Sequence, residues 1–90
     1  MIFTVYVLQS LKNKKRYVGF TSKSPEKRLS QHNQGSNFFT GQNRPFRLIY
    51  HEEYIDKTVA IKREKFLKSG QGRKFLDSLN LEKNNNYPHA

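Results

Sequence analysis

Tyr6 and Tyr17 lie in two short apolar runs, VYVL and RYVGF, on either side of a basic, Asn-containing turn. Tyrosine packs well in a strand, but its hydroxyl needs a partner wherever it is buried. Two phenols in one hairpin are therefore either a cross-strand packing pair or two hydroxyls facing a reaction centre. Arg28 and His32, four residues apart in a helical stretch, stack on one face beside Leu29. Glu64 falls inside the apolar stripe of a later helix, with Ala60 and Leu67 on one flank and Ile61 on the other. A carboxylate so placed is costly unless a cation or a metal pairs with it. Arg28 is one such cation, a divalent ion is a second partner, and helical pairs to Lys68 or Lys57 are a third.

Composition narrows the setting. The chain is 90 residues long, enough for one domain and a modest core. Hydrophobic residues make up only 34%, so the seven Phe and five Tyr must supply much of the buried area. There is no cysteine, which excludes disulfides, thiolate zinc sites and a cysteine nucleophile. No apolar run is long enough to span a bilayer and no signal-peptide core is present, so the chain reads as cytoplasmic. Seventeen Lys and Arg against seven Asp and Glu give a net charge of +10. That excess points to a polyanion, since each neutralised phosphate releases a counterion and adds affinity. An anionic membrane is the weaker reading, because no strongly amphipathic basic helix with an exposed apolar face is evident.

The elements that must position the five residues follow from local pattern. Residues 2–8 and 16–20 read as strands rich in β-branched and aromatic side chains, with KNKK as the turn and Asn13 as its left-handed residue. A helix follows, with Ser24 as N-cap, Pro25 at its first position, Glu26 at the positive dipole end and Gly35 as the stop. Its single aliphatic residue is Leu29, too few for an ordinary covering helix. It is therefore either an exposed basic helix or one that carries Arg28 and His32 to the polar face of the sheet. Residues 36–45 read as a loop in which Phe38 and Phe39 need partial burial. Residues 46–55 form a third strand, and Asp56 or Thr58 opens a second helix over 57–69 that Gly70 ends. Its stripe is Val59, Ala60, Phe66 and Leu67. Residues 72–81 form a third helix with Phe75, Leu76 and Leu79 on one side, and 82–90 are a polar tail. The order ββαβαα predicts an α+β domain, a small three-stranded antiparallel sheet flanked by helices, over residues 1–81.

Register decides whether the tyrosines can cooperate. A two-residue loop at Asn13-Lys14 puts Val5 and Val7 on one face with Val18 and Phe20, and Tyr6 on the other with Tyr17 and Gly19. A three-residue loop without a bulge would separate the phenols. The first register gives one consistently apolar face and is the one expected. Gly19 then leaves a gap on the tyrosine face, as strand glycines do where a backbone or ligand approaches closely.

The motifs VYV and YVG, then RLSQHN, then the helical AIKREKFLKS, resemble the GIY-YIG nuclease family over residues 3 to about 80. RPFRLIY resembles the family's third strand, and the likeness is greatest to small stand-alone members in which one catalytic domain is nearly the whole chain. The resemblance implies a three-stranded antiparallel sheet with flanking helices and a DNA phosphodiesterase using one divalent metal, usually magnesium (or manganese). Tyr6 and Tyr17 match the motif tyrosines, Arg28 the arginine of the first helix, His32 the histidine four residues later, and Glu64 the metal-holding glutamate. The family's late asparagine has no secure equivalent; Asn80 is the nearest candidate. VYV departs from the family in lacking the glycine of the first motif, and Phe20-Thr21 stands where some relatives carry a lysine.

On this resemblance, water attacks a DNA phosphorus and the 3′ oxygen leaves. Tyr6 is the expected base with His32 as relay, Tyr17 orients the water or a phosphate oxygen, Arg28 holds the excess charge and Glu64 carries Mg²⁺. A free phenol has a pKa near 10, and lowering it to 7 needs about 4 kcal/mol of differential stabilisation. Arg28 and a metal could supply that; alternatively the phenol gives up its proton only in the transition state. Glu52 and Glu53 read as surface residues as readily as ligands, which disfavours a two-metal site. Lys12, Lys14, Lys15, Arg16, Lys23, Lys27, Arg44 and Arg47 are candidates for DNA contact. Two other functions fit the charge: a non-catalytic nucleic-acid-binding module on the same scaffold, and a basic protein docking on ribosomal RNA. Neither explains a semi-buried Glu64.

Overall fold

The computed structural model describes residues 1–35 and 42–79. Among the described residues three strands, β1 (Phe3–Ser10), β2 (Arg16–Thr21) and β3 (Phe46–Tyr54), and three helices, α1 (Pro25–Asn33), α2 (Lys57–Lys68) and α3 (Gly70–Ser78), follow in the expected ββαβαα order. The sheet is antiparallel in the order β2-β1-β3, so the most apolar strand lies in the middle. Phe38, Phe39, Asn80 and the predicted tail fall outside the described residues.

The hairpin has the expected face assignment with a longer turn. Val5 pairs with Phe20, Tyr6 with Gly19, Val7 with Val18 and Leu8 with Tyr17. This register sits two residues away from that of a two-residue loop, which leaves the side-chain parity unchanged. The strands close at the Ser10 N–H to Lys15 carbonyl bond, so the loop is 11–14. Within it the Ser10 hydroxyl accepts from the backbone of Lys12 and Asn13, and the Asn13 side chain accepts from the Lys15 N–H. Asn13 therefore serves as a hydrogen-bonding turn residue. Lys14, at φ 64°, takes the left-handed position instead.

The two sheet faces are built differently. Val5, Val7, Val18 and Ile49 pack under Ala60 and Leu67 of α2 and Leu76 of α3. A bulge between Val7 and Leu8 in the β1–β3 pairing lets Ile49 and Tyr50 both serve this face. Tyr6, Leu8, Phe46 and Leu48 form the other layer, closed by Leu29 of α1 with Tyr17 at its side. Leu29 is buried and is flanked by Pro25 and His32, so a helix with one aliphatic residue docks by adding an imidazole to its contact stripe. The side chain of Asn33 then bonds both the N–H and the carbonyl of Phe46, joining the end of α1 to the start of β3.

Helix ends follow sequence logic with one revision. Ser24 caps α1 by accepting from Lys27 N–H, and Asp56 caps α2 by accepting from Thr58 and Val59. Ser69, not Gly70, ends α2, and its hydroxyl also caps α3 at Gly72. Gly72 is needed there: a Cβ would meet the Phe66 carbonyl oxygen at 2.0 Å. On α2, Ala60 and Leu67 are buried and Phe66 partly so, whereas Val59 is 46% exposed and drops out of the predicted stripe. Leu79 is likewise exposed beyond the end of α3. Among the described residues no helix is long and apolar enough to cross a membrane.

Candidate active site

Tyr6 stands at the centre of the middle strand and is 1% exposed. Its cross-strand neighbours are Gly19 on β2 and His51 on β3. A Cβ on residue 19 would lie 2.3 Å from both the Cζ and the hydroxyl oxygen of Tyr6, so the phenol occupies the space that glycine vacates. Two residues back along β2, Tyr17 projects to the same face. Both rings meet His32 of α1, with centroids 6.0 Å (Tyr6) and 4.9 Å (Tyr17) from the imidazole. The two phenols therefore serve one face, as the parity of the hairpin requires.

Hydrogen bonds at His32 define the protonation pattern. Tyr6 Oη lies 2.9 Å from His32 Nε2, and Arg28 Nη2 lies 3.4 Å from the same nitrogen. A guanidinium only donates, so Nε2 is the acceptor, the imidazole proton sits on Nδ1, and Tyr6 donates its hydroxyl proton to Nε2. His32 is fully buried. Burial, with the nearby Arg28 charge adding to it, lowers the His32 pKa to about 4. Burial likewise raises the Tyr6 pKa; hydrogen bonding to Arg28 and its charge pull down, but do not prevail, and the charges of Tyr17 and Glu64 push further up. At neutral pH this is a neutral phenol bonded to a neutral imidazole. Arg28 does not by itself bring Tyr6 towards pH 7, because removing the phenolate from water costs more than one half-buried guanidinium returns. The other Arg28 nitrogen donates to Gln31, a neighbour that sequence reasoning did not single out.

Glu64 projects from α2 with its side chain 20% exposed. Its charge is felt at the Tyr6 hydroxyl, which ties it electrostatically to the same site. Its ion-pair partner is Lys68, at 3.1 Å one helical turn on, rather than Arg28. Arg28 is engaged by Gln31 and His32 instead. Among the described residues no group of three or more His, Cys, Asp or Glu could hold a metal ion. Among the described residues, Glu64 is the carboxylate whose charge acts on the Tyr6 hydroxyl. Arg28 also lines a hollow of about 280 Å³ that it shares with Phe20, Thr21, Ser22 and Lys23.

The candidate DNA-contacting residues divide into two sets. Lys12, Lys14, Lys15, Lys23, Lys27 and Arg44 are exposed. Arg16 is bound to Asp77, and Arg47 donates to Gln9 within the sheet edge, so these two charges serve the fold as well.

Sequence reasoning passed over a polar cluster on the opposite face. Glu52 accepts from the hydroxyls of Tyr50 and Tyr54 and, through both oxygens, from Arg63 of α2 at 2.8 and 3.0 Å. Arg63 also lies 4.9 Å from the ring centroids of both Phe66 and Phe75. Glu52 is therefore no surface residue. Arg63, Tyr50 and Tyr54 outweigh burial and hold its carboxyl below the usual range, while burial and Glu52 push Tyr50 up to about 12. The alternation Tyr50, Glu52, Tyr54 was the available signal.

Comparison with known proteins places the fold and the family. No curated protein matches the chain. A UPF0213 protein of Bacillus halodurans, solved by NMR in solution, is similar at 28% identity, with 92% of this chain and 89% of that chain covered and a TM-score of 0.56. The GIY-YIG catalytic domain matches residues 2–76, a span that holds Tyr6, Tyr17, Arg28, His32 and Glu64. With that span aligned and a ββαβαα domain built around its tyrosine hairpin, the chain belongs to the GIY-YIG family of nuclease-type catalytic domains.

Proposed function

We propose that the chain is a metal-dependent DNA endonuclease that hydrolyses phosphodiester bonds with a tyrosine-held water. The observation that carries the reading is the Tyr6–His32–Arg28 chain of contacts on the Tyr17 face, with the Glu64 charge within electrostatic reach. A net charge of +10 supports a polyanionic substrate.

In this mechanism Tyr6 does not act as a standing phenolate. It accepts the proton of the attacking water as it passes its own to His32 Nε2, so no charge is stranded on a buried oxygen. Burial, with the Arg28 charge adding to it, holds His32 poorly basic in the free protein. A substrate phosphate bound at Arg28 offsets that charge and makes the imidazole a better acceptor when it is needed. The guanidinium then donates to the phosphorane oxygens as negative charge builds, and Tyr17 orients the water. Glu64 is the residue that would hold the metal. A single half-buried carboxylate suits magnesium (or manganese), which keeps several waters and takes its other ligands from substrate oxygens. Held there, such an ion would supply Lewis-acid stabilisation of the charge on the phosphate and the leaving alkoxide. Lys68 supplies the compensating charge at Glu64 otherwise.

That lysine also gives the one argument for a second reading, a non-catalytic nucleic-acid-binding module, because Glu64 already has a partner. Cleavage of single-stranded, duplex and branched DNA, with and without Mg²⁺, separates the two. Wild type is expected to cut only with metal, and Glu64→Ala to lose at least three decades of cleavage while binding DNA as well or better. Binding without cleavage on every substrate would establish the module instead.

A further inference from the structure

Strand β2 carries a hollow towards each of its ends, and the Tyr6 hydroxyl lies between them. One is the Arg28 hollow at Phe20–Lys23. The other, of about 320 Å³, begins at Arg16, Tyr17 and Val18 and extends to α2 and α3. Gly19, against which the Tyr6 hydroxyl rests, separates the two sets of β2 residues. Tyr17 and Thr21 each lie two residues from it, roughly 7 Å along the strand.

The second hollow has the chemistry of a base site. Val18, Leu67 and Leu76 give it an apolar floor, Tyr17 an aromatic wall, and Arg16, Lys68 and Arg73 a cationic rim. Its volume is at the lower end of small-molecule sites, which run from about 300 to 1,000 Å³. Aromatic rings set in a cationic groove are how proteins hold unstacked bases without sequence readout. Arg16 is paired with Asp77 and Lys68 with Glu64, so Arg73 is the rim cation without an ion pair among the described residues.

We propose that this hollow receives the base of the nucleotide next to the scissile phosphate, while the phosphate itself lies at Arg28, so that the substrate strand runs along β2. The inference rests on the nuclease reading for the word scissile, but its test does not require cleavage. The full-length ¹⁵N-labelled chain is titrated by NMR, without divalent metal, with the dinucleotide d(TpT), its abasic analogue and inorganic phosphate. With d(TpT), the amides of Val18, Leu67 and Leu76 are expected to shift together with those of Thr21–Lys23. The abasic analogue and phosphate should move only the second set. Arg73→Glu, at an exposed position, should weaken the d(TpT) shifts of the first set at least fivefold with spectral dispersion unchanged. Still amides at Leu67 and Leu76, equal shifts with the abasic analogue, or an Arg73→Glu titration like wild type would each overturn the proposal. Dinucleotide binding by a chain that cuts no DNA would leave the base site standing and remove the hydrolase. Cutting without these shifts would do the reverse.

Discussion

The two faces of the sheet bury similar strands and use the burial differently. Beneath α2 and α3, the polar groups that enter are mutually satisfied: Glu52 has four donors, and Arg63 lies between two aromatic rings. Beneath α1, burial falls on a phenol and an imidazole whose single shared bond leaves both poised to exchange a proton. The first face converts desolvation into a clamp, with salt bridge and hydrogen bonds offsetting its cost. The second leaves desolvation as a perturbation, lowering His32 and raising Tyr6. Perturbed pKa values cluster at functional sites, and here they fall on two groups that share a proton-transfer bond.

Substitutions can separate the faces. On the α1 face, Arg28→Ala should lower cleavage about a thousandfold, on the scale of losing transition-state charge stabilisation. It should leave thermal stability within about 1 kcal/mol, since Arg28 is only partly buried. His32 should titrate higher in that variant, an outcome read by NMR. On the opposite face Glu52→Ala should cost about 3 kcal/mol in denaturant unfolding, because it strands Arg63 and two tyrosine hydroxyls. Cleavage by the folded fraction should fall less than tenfold. A reversal of these two outcomes would dissolve the distinction between clamp and site.

The pH dependence of stability sharpens it further. His32 has an ordinary pKa of 6.5 when unfolded and about 4 when folded, so the unfolded chain binds the extra proton between those values. Stability should therefore rise as pH climbs from 4 to 6.5, by on the order of 3 kcal/mol, and the gain is lost on acidification. His32→Gln should flatten the profile over that window in urea titrations. An unchanged slope would place the imidazole in a solvated environment.

Much of this was legible before any coordinates because local and parity rules carry it. Alternation in VYVL and RYVGF assigned the tyrosines to one face, and Ser24-Pro25 fixed where α1 begins. The turn was misjudged because its length depends on Ser10 Oγ collecting two backbone donors, an arrangement open to many residues. Glu64 was found by its place on the helix, and Lys68 was one of the partners open to it; Arg28 and Lys57 were open too, and only packing chooses Lys68. The alternation Tyr50, Glu52, Tyr54 puts three polar groups on one face of β3, but it does not name Arg63 of α2 as their partner. The pKa directions at Tyr6 and His32 needed burial as well as neighbours, and helix α1 had too few apolar residues to announce how deeply it docks.

The central claim is that the buried hydroxyl of Tyr6 handles the proton of the attacking water. Single-turnover cleavage of DNA by Tyr6→Phe in saturating Mg²⁺, at matched folded concentration, addresses it directly. The variant keeps the ring beside Gly19 and removes only the hydroxyl, so a hundredfold or greater loss of rate with intact fold and DNA binding is the predicted result. Cleavage at the wild-type rate would return Tyr6 to the core as a packing residue and leave His32 without a role in the reaction.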